Sequence, residues 1–140
     1  MLLVDTNVLI DVLENDPQWA DWSIGQLRAQ SQLHTLAINP IIYAELSLTF
    51  ERFEDLDATV SLIGLAMHEP PRATLFLAGH AFARYRKLGG HKARVLPDFI
   101  IGAHAAVQGW PLLTRDTRRY RRYFPTVELI SPPEEPSGQV

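Results

Sequence analysis

The chain opens with Leu2-Leu3-Val4, a wholly apolar run without the alternation of polar and apolar residues that marks a half-exposed strand. Such a run is typical of a strand that is buried on both faces of a parallel sheet. It stops at Asp5-Thr6-Asn7, and apolar residues at helical spacing follow. Asp5 is therefore predicted to lie at the carboxyl end of a strand, where open α/β sheets form their ligand crevices.

Strands and helices are predicted to alternate along the rest of the chain. Further strands are predicted at residues 35–38, 67–69, 111–114 and 128–130. Helices are predicted at residues 8–13, 17–33, 55–66, 72–88 and 97–107. Asn39-Pro40 opens another helix, and a short basic helix ends at Tyr123. The alternation implies a parallel sheet with right-handed crossovers, so the predicted fold is a three-layer α/β/α sandwich with a central parallel sheet.

The size of the chain indicates one domain, predicted over residues 1–130, followed by a proline-rich tail at residues 131–140 that is predicted to be disordered. A chain of 140 residues can bury a core without disulfides. The absence of cysteine excludes a disulfide framework and a thiolate metal site. No apolar run is long enough to span a bilayer, and the N-terminus lacks the features of a cleaved leader. We therefore expect a cytoplasmic protein.

Four acidic residues occupy comparable places in this pattern. Asp5, Asp98 and Asp116 each lie at a strand end or a helix start. Glu45 projects from the apolar face of the helix that begins at Asn39-Pro40. Taken alone, each has a simpler explanation, because aspartate is a common helix N-cap and a glutamate can be a solvated helix residue. The four together are harder to explain in that way.

Repulsion among these carboxylates indicates what they would bind if the crossovers bring them together. Two carboxylates about 4 Å apart repel by roughly 4 kcal/mol at an effective dielectric constant of about 20. Several such pairs would rival the whole stability of a domain, about 5–15 kcal/mol. The cluster then persists only by taking up protons or by binding a cation. Oxygen ligands without cysteine favour Mg²⁺ or Mn²⁺, which could activate water and neutralise charge on a phosphodiester.

Basic residues are concentrated in the second half of the chain, although the net charge is −3. Residues 1–79 carry 3 basic and 11 acidic side chains, whereas residues 80–140 carry 10 basic and 5 acidic ones. A basic second half could face a polyanion. The candidate phosphate contacts are Lys92, Arg94, Arg118, Arg119 and Arg122. A solvated helix face explains each arginine equally well, and packing is favoured over base stacking for Tyr120 and Tyr123.

Other chemistries find little support in the sequence. The five histidines lack metal-ligand spacing, and His104 lies at helical spacing from Ile100, which indicates a core or boundary position. The chain contains no G-x-S-x-G, P-loop or G-x-G-x-x-G motif, so neither a serine nucleophile nor a nucleotide cradle is indicated.

Three stretches of the chain carry a resemblance to a known family. They are LLVDTNVLIDVL, INPIIYAEL and PDFIIGAHAAVQGWPLLTRDTRRYRRYF. In this order they resemble a PIN-domain ribonuclease, and more narrowly the VapC-type toxin of a bacterial or archaeal toxin–antitoxin pair. The resemblance covers nearly the whole chain apart from the tail, and it implies a PIN-like fold.

The resemblance also implies a role for each acid. The residues that match the family's catalytic, metal-binding quartet are Asp5, Glu45, Asp98 and Asp116. Whether Glu45 binds Mg²⁺ or Mn²⁺ directly or orients the attacking water stays open. The neighbours expected to support these acids or contact the substrate are Thr6, Asn7, Thr114 and Arg115.

The chemistry of the family is endonucleolytic cleavage of RNA by a metal-bound water. Its toxins usually form homodimers, and a cognate antitoxin silences them by reaching into the acidic pocket. From the resemblance we expect RNA as the substrate, an antitoxin as the protein partner and no membrane association. Two alternatives stay open: a PIN-fold module that binds RNA or protein without cleavage, and a metal-dependent DNA nuclease or phosphohydrolase.

Overall fold

A five-stranded parallel sheet forms the centre of the computed structural model, which describes residues 1–133. The strands are β1 (Leu2–Val4), β2 (Leu36–Ile38), β3 (Ala66–Met67), β4 (Leu112–Leu113) and β5 (Leu129–Ile130). Their order is β3-β2-β1-β4-β5, and every neighbouring pair is parallel. Strands β2 and β3 thus lie on one side of β1, and β4 and β5 lie on the other side. The crevice between β1 and β4 is therefore the switch point at which open α/β sheets bind ligands.

Strand β1 is buried on both faces, as its sequence predicts. Leu2, Leu3 and Val4 have no exposed surface. Successive strand residues point to opposite faces of a sheet, so both faces of the central strand must be covered. This confirms the predicted three-layer α/β/α sandwich with a central parallel sheet. The short edge strands β3 and β5 keep some exposure.

Seven α-helices connect and cover these strands within residues 1–133. They are α1 (Thr6–Leu13), α2 (Ala20–Ser31), α3 (Pro40–Ser47), α4 (Phe53–Ile63), α5 (Arg72–Lys87), α6 (Leu96–Gln108) and α7 (Arg118–Tyr123). A 3₁₀ turn at Ala93–Val95 leads into α6. In this part of the chain, no helix has the length and apolar character needed to cross a membrane.

Most helix boundaries differ from the predicted ones by one or two residues, and two of them differ by three. Helix α2 begins at Ala20 rather than at residue 17, because the Asp16 carboxylate accepts backbone hydrogen bonds in a separate turn before it. Helix α4 ends at Ile63 rather than at residue 66, because Gly64 takes a φ of +80° that stops the helix. The predicted domain boundary at residue 130 and disordered tail stay predictions, since residues 134–140 lie outside the described residues.

An aromatic cluster around Phe99 joins α5, α6 and the end of α7. The rings with centroids 5.1–6.0 Å from that of Phe99 belong to Phe82, Tyr85, Tyr123 and Phe124. Gly102 permits this packing, because a β-carbon there would lie 2.4 Å from the ring of Phe124. Helix α7 is therefore fixed against α6, and this fixes where its basic and aromatic side chains lie.

Candidate active site

Asp5 lies between β1 and α1, at the switch point of the sheet, and is only 3% exposed. Its Oδ1 accepts a hydrogen bond from the N–H of Thr6 at 2.8 Å. Its Oδ2 accepts from Thr114 Oγ1 and from the hydroxyl of Tyr120, both at 2.8 Å. Burial raises the pKa of Asp5 to about 6, the nearby Glu45 adds to the rise, and the hydrogen bonds oppose it. Asp5 is therefore a fixed carboxyl group whose negative charge favours a nearby cation.

A hydrogen-bond network joins the loop after β4 to the start of α1. Asn7 Nδ2 donates to Thr114 Oγ1 at 3.3 Å, and the N–H of Arg115 donates to Asn7 Oδ1 at 3.2 Å. The N–H of Asp116 donates to Thr114 Oγ1 at 3.1 Å. Asn7 and Thr114, both predicted to support the site, thus connect the exposed Asp116 to Asp5.

Glu45 reaches the same region from helix α3. The helix starts where its sequence predicts, because Asn39 Oδ1 accepts from the N–H of Ile42 at 2.9 Å. The buried His104 lies 3.1 Å from the Asn39 amide nitrogen and holds that cap in place. From this helix, Glu45 Oε1 accepts a hydrogen bond from Thr6 Oγ1 at 2.6 Å. Thr6 therefore links the first two acids of the predicted quartet.

Asp98 lies in the first turn of α6 and is close to all three other acids. Burial is the main reason that the pKa of Asp98 rises to about 7, and Asp5, Glu45 and Asp116 raise it further. Arg119 opposes this rise, with its Nη1 2.6 Å from Asp98 Oδ2. The four predicted acids thus come together at one edge of the sheet, although they lie up to 111 residues apart in the sequence.

The helix-cap explanation is wrong for Asp98 and Asp116. The N-cap of α6 is Val95 and that of α7 is Thr117, and neither helix has a side-chain cap hydrogen bond. Asp5 does cap α1. Neither Asp98 nor Asp116 therefore caps a helix.

Tyr120 is a member of this cluster that the sequence did not identify as one. It is 3% exposed, so it cannot stack on a base, and its hydroxyl donates to Asp5. Burial and the nearby Asp5 raise the pKa of Tyr120 well above its ordinary value, so the phenol keeps its proton. The sequence does contain a signal for this position. Tyr120 is an aromatic residue between two pairs of arginines, so it is the residue of this segment expected to face the protein interior.

A second missed residue, Asp11, holds the side chain of Arg115. Asp11 is buried, and it accepts from Arg115 Nε at 2.6 Å and from Arg115 Nη2 at 2.9 Å. Ser23 Oγ also donates to Asp11 at 2.8 Å, and the Arg115 guanidinium lies 5.2 Å from the ring centroid of Trp19. Arg115, predicted to support the site or to contact substrate, thus has its guanidinium bound within the protein. It anchors the loop that carries Asp116.

A family model described as the PIN domain matches residues 2–125 of the chain. The chain belongs to the PIN-domain family. This confirms the resemblance carried by the three sequence stretches. No curated protein sequence matches the chain.

Solved structures share the PIN fold of this chain at low sequence identity. VapBC2 from Rickettsia felis, bound to a DNA fragment from its promoter, has 18% identity and a TM-score of 0.71, over 93% of this chain and 97% of that one. DNA-bound VapBC from Salmonella typhimurium has 21% identity and a TM-score of 0.68, over 93% and 96%. VapBC-1 from nontypeable Haemophilus influenzae has 18% identity and a TM-score of 0.68, over the same shares. At these identities the likeness establishes the fold.

A basic pocket of about 440 Å³ adjoins Asp116 in this PIN domain. The residues that line it are Tyr85, Asp116, Arg118, Arg119, Arg122 and Tyr123. Three of the five predicted phosphate contacts therefore surround one cavity beside Asp116. The other two, Lys92 and Arg94, are exposed on the segment before α6 and are not among its lining residues.

The donor chemistry of the acids fits a hard divalent cation such as Mg²⁺ or Mn²⁺. All candidate ligands are carboxylate oxygens. Burial is the main cause of the raised pKa values of Asp5 and Asp98, and the charges of neighbouring acids add to both. Within residues 1–133, no three acidic or histidine side chains are already arranged around a single point as ligands. Three of the acids have protein partners: Asp5 accepts from Thr114 and Tyr120, Glu45 accepts from Thr6, and Asp98 pairs with Arg119. An ion would have to replace some of these contacts.

Proposed function

We propose that this PIN domain is a metal-dependent endoribonuclease and the toxin of a toxin–antitoxin pair. The observation that supports this most strongly is the convergence of four carboxylates, contributed by the ends of β1 and β4 and by α3 and α6, at the switch point of the sheet. The catalytic and metal-binding residues in this proposal are Asp5, Glu45, Asp98 and Asp116. A structural role alone does not account for four acids whose mutual repulsion disfavours the folded state.

Each side chain has a part in the proposed reaction. Asp5, Asp98 and Asp116 would hold Mg²⁺ or Mn²⁺, and Glu45 would either join them or orient the attacking water. A bound divalent ion supplies charge neutralisation at the phosphodiester and lowers the pKa of a water molecule.

Residues around these acids would position them and the RNA. Thr6, Thr114 and Tyr120 fix the carboxylates by donating hydrogen bonds. The pocket beside Asp116 would receive RNA phosphates through its arginines, because guanidinium groups bind phosphate oxygens with paired hydrogen bonds. Lys92 and Arg94 would add weaker contacts from the exposed segment before α6.

The proposed partners follow from family membership and from the complexes in which the structural neighbours were solved. Those neighbours are VapBC assemblies, which supports an antitoxin as the protein partner. A homodimer is proposed from the family resemblance alone. We expect the protein to act in the cytoplasm, where mature RNA is available to it.

A direct test is to incubate purified protein with RNA in Mn²⁺ and in excess chelator. We expect cleavage only with Mn²⁺, and complete loss of cleavage in Asp5→Asn without loss of the fold by circular dichroism. Asp21→Asn is the matched control, because Asp21 is an exposed acid on α2. Near-native, metal-dependent cleavage by Asp5→Asn would refute the assignment. RNA binding without cleavage in both buffers would favour a binding module.

Substrate class and toxicity need separate measurements. Single-stranded DNA and a phosphomonoester, compared with RNA under the same metal, test the alternative nuclease and phosphohydrolase activities, and we expect turnover of RNA to exceed both. Induction of the chain in cells should arrest growth, and co-expression with a small protein encoded beside it should relieve the arrest. Unimpaired growth with abundant folded protein would contradict the toxin role.

A further inference from the structure

Arg119 forms an ion pair with Asp98, one of the four clustered acids. Its Nη1 lies 2.6 Å from Asp98 Oδ2, and the two side chains are only 23% and 32% exposed. Asp98 is in turn close enough to Asp5, Glu45 and Asp116 to feel the charge of each. A guanidinium group thus lies at the edge of the carboxylate cluster for which a divalent ion is proposed.

The position of Arg119 is set by neighbouring residues on α7. Tyr120 is buried with its hydroxyl on Asp5, and Tyr123 packs against Phe99 with ring centroids 5.1 Å apart. These two contacts fix the rotation of α7 about its axis. The residue immediately before Tyr120 is thereby placed beside Asp98, whereas Arg118 remains exposed. Arg119 therefore differs from the exposed Arg118, because its side chain is held beside Asp98.

We infer that Arg119 is a resident counter-cation, which holds Asp98 in the metal-free protein and is exchanged for the divalent ion when the ion binds. This inference rests on the proposed metal-dependent function and adds a specific step to it. A metal ion bound through Asp98 Oδ2 competes with the guanidinium for that oxygen. The two cations also repel each other, so binding of the ion through this oxygen opens the ion pair.

The exchange would also affect the binding of substrate phosphates. Once released from Asp98, Arg119 is still part of the wall of the 440 Å³ pocket, beside Arg118 and Arg122. A phosphate group there can replace Asp98 as the anionic partner of the guanidinium. Metal binding and phosphate binding would then favour each other, because each removes the competitor of the other.

The test compares Mn²⁺ binding by three single variants of the full chain. Calorimetric titration is carried out on metal-free protein in mildly alkaline buffer, so that the carboxylates are ionised. In Arg119→Gln we expect the Kd for Mn²⁺ to fall about tenfold, because no ion pair has to open. Arg118→Gln is the matched control, since it removes the same charge from the preceding residue, whose side chain is exposed. It should change the Kd by less than about twofold, because exposed charges are screened.

Arg119→Lys provides a second variant that keeps the positive charge. Lysine lacks the planar fork of the guanidinium, so its pair with Asp98 should be weaker and the Kd should fall about threefold. Melting temperature provides a readout independent of catalysis: in chelator, Arg119→Gln should melt below Arg118→Gln, and Mn²⁺ should raise its melting temperature more. If the glutamine variant does not fold, the lysine variant and its Kd decide the question.

The possible outcomes separate this inference from the function on which it rests. Equal or weaker Mn²⁺ binding by folded Arg119 variants, with clear binding by the wild type, overturns the exchange and leaves the metal-dependent function standing. Absence of Mn²⁺ binding by the wild type and all variants overturns both. Tenfold tighter binding in Arg118→Gln as well would mean that only total charge matters, and this too would overturn the exchange.

Discussion

At the scale of single residues, the phenol of Tyr120 has one available role. It is buried, its pKa is raised well above the ordinary value by burial and by Asp5, and its hydroxyl donates to Asp5 Oδ2 at 2.8 Å. A phenol that keeps its proton can fix the carboxylate but cannot act as a base. We therefore regard Tyr120 as a positioning residue for Asp5.

Tyr120→Phe removes this hydrogen bond while the ring keeps its packing. We expect metal-dependent cleavage to fall about tenfold or more, because a hydrogen bond to a charged acceptor is worth about 1.5–3 kcal/mol. The loss should be partly recovered at high Mn²⁺, which a purely structural role would not produce. Tyr43→Phe is the control, since it deletes an exposed bond to Asp57 of 3.2 Å and should leave cleavage unchanged. Equal losses in the two variants would contradict the role of Tyr120.

The buried acids also predict how stability depends on pH. The pKa of Asp5 is raised to about 6 and that of Asp98 to about 7, from an ordinary value of 3.8. Between these limits the folded chain binds more protons than the unfolded chain, so these groups make the protein less stable as pH rises from about 4 to about 7. The pKa of His104 is lowered by burial, which works in the opposite direction below its ordinary value of 6.5.

Asp98→Asn isolates the contribution of this acid from that of His104. In chelator, we expect the free energy of unfolding to fall by about 1 kcal/mol less between about pH 5 and about pH 8 in the variant than in the wild type, after allowance for solvent screening, because only the wild type ionises Asp98 over this range. Urea unfolding of both proteins at about pH 5 and about pH 8 measures the two differences. An equal fall in both proteins would contradict the raised pKa of Asp98.

At the scale of secondary-structure elements, the pair of Asp11 and Arg115 ties α1 to the loop after β4. Asp11 is also bonded to Ser23 on α2, so three segments meet at one buried carboxylate. Arg115 directly precedes Asp116, and its backbone N–H is bonded to Asn7. The pair therefore supports both the fold and the position of a proposed metal ligand.

Asp11→Asn should destabilise the chain by about 3–5 kcal/mol, because it leaves a half-buried guanidinium without its charge partner. Arg52→Gln is the control: its ion pairs are exposed, and its loss should cost about 1 kcal/mol or less. Chemical unfolding gives both values. A loss below about 1 kcal/mol in Asp11→Asn would mean that the pair contributes little.

The elements that local sequence specifies were predictable, and the contacts between distant elements were not. The apolar run of β1 and the Asn39 cap of α3 are encoded within a few residues, so Asp5 and Glu45 could be placed in advance. The bond from Tyr120 to Asp5 joins residues 115 positions apart, and the pair of Arg115 and Asp11 spans 104. Such contacts depend on β4 pairing beside β1, which periodicity does not specify. For the same reason, the cap explanation of Asp116 could not be excluded from sequence.

At the scale of the whole molecule, charge is divided between two parts of the chain. Residues 1–79 contain 11 acidic and 3 basic side chains, and residues 80–140 contain 5 and 10. The pocket beside Asp116 is the place where three basic side chains of the second part meet the acidic site. An overall net charge of −3 therefore does not prevent local attraction of a polyanion.

Binding of single-stranded RNA in chelator should therefore weaken steeply as salt rises. Arg122→Gln should lower the slope of log affinity against log salt by about 0.7, since one phosphate contact to a single strand is lost. Arg28→Gln, an exposed change on α2, should leave the slope unchanged. Fluorescence anisotropy at several salt concentrations measures the slopes. Identical slopes for both variants would exclude the pocket as a phosphate site.

The placement of β4 beside β1 has a consequence for synthesis on the ribosome. Asp5 and Glu45 leave the exit tunnel before Asp98, Asp116 and Tyr120 do. A growing polypeptide thus carries half of the carboxylates, without the strand that would bring the other half to them. Until β4 pairs with β1, a newly made copy therefore lacks the complete set of acids on which the proposed cleavage depends.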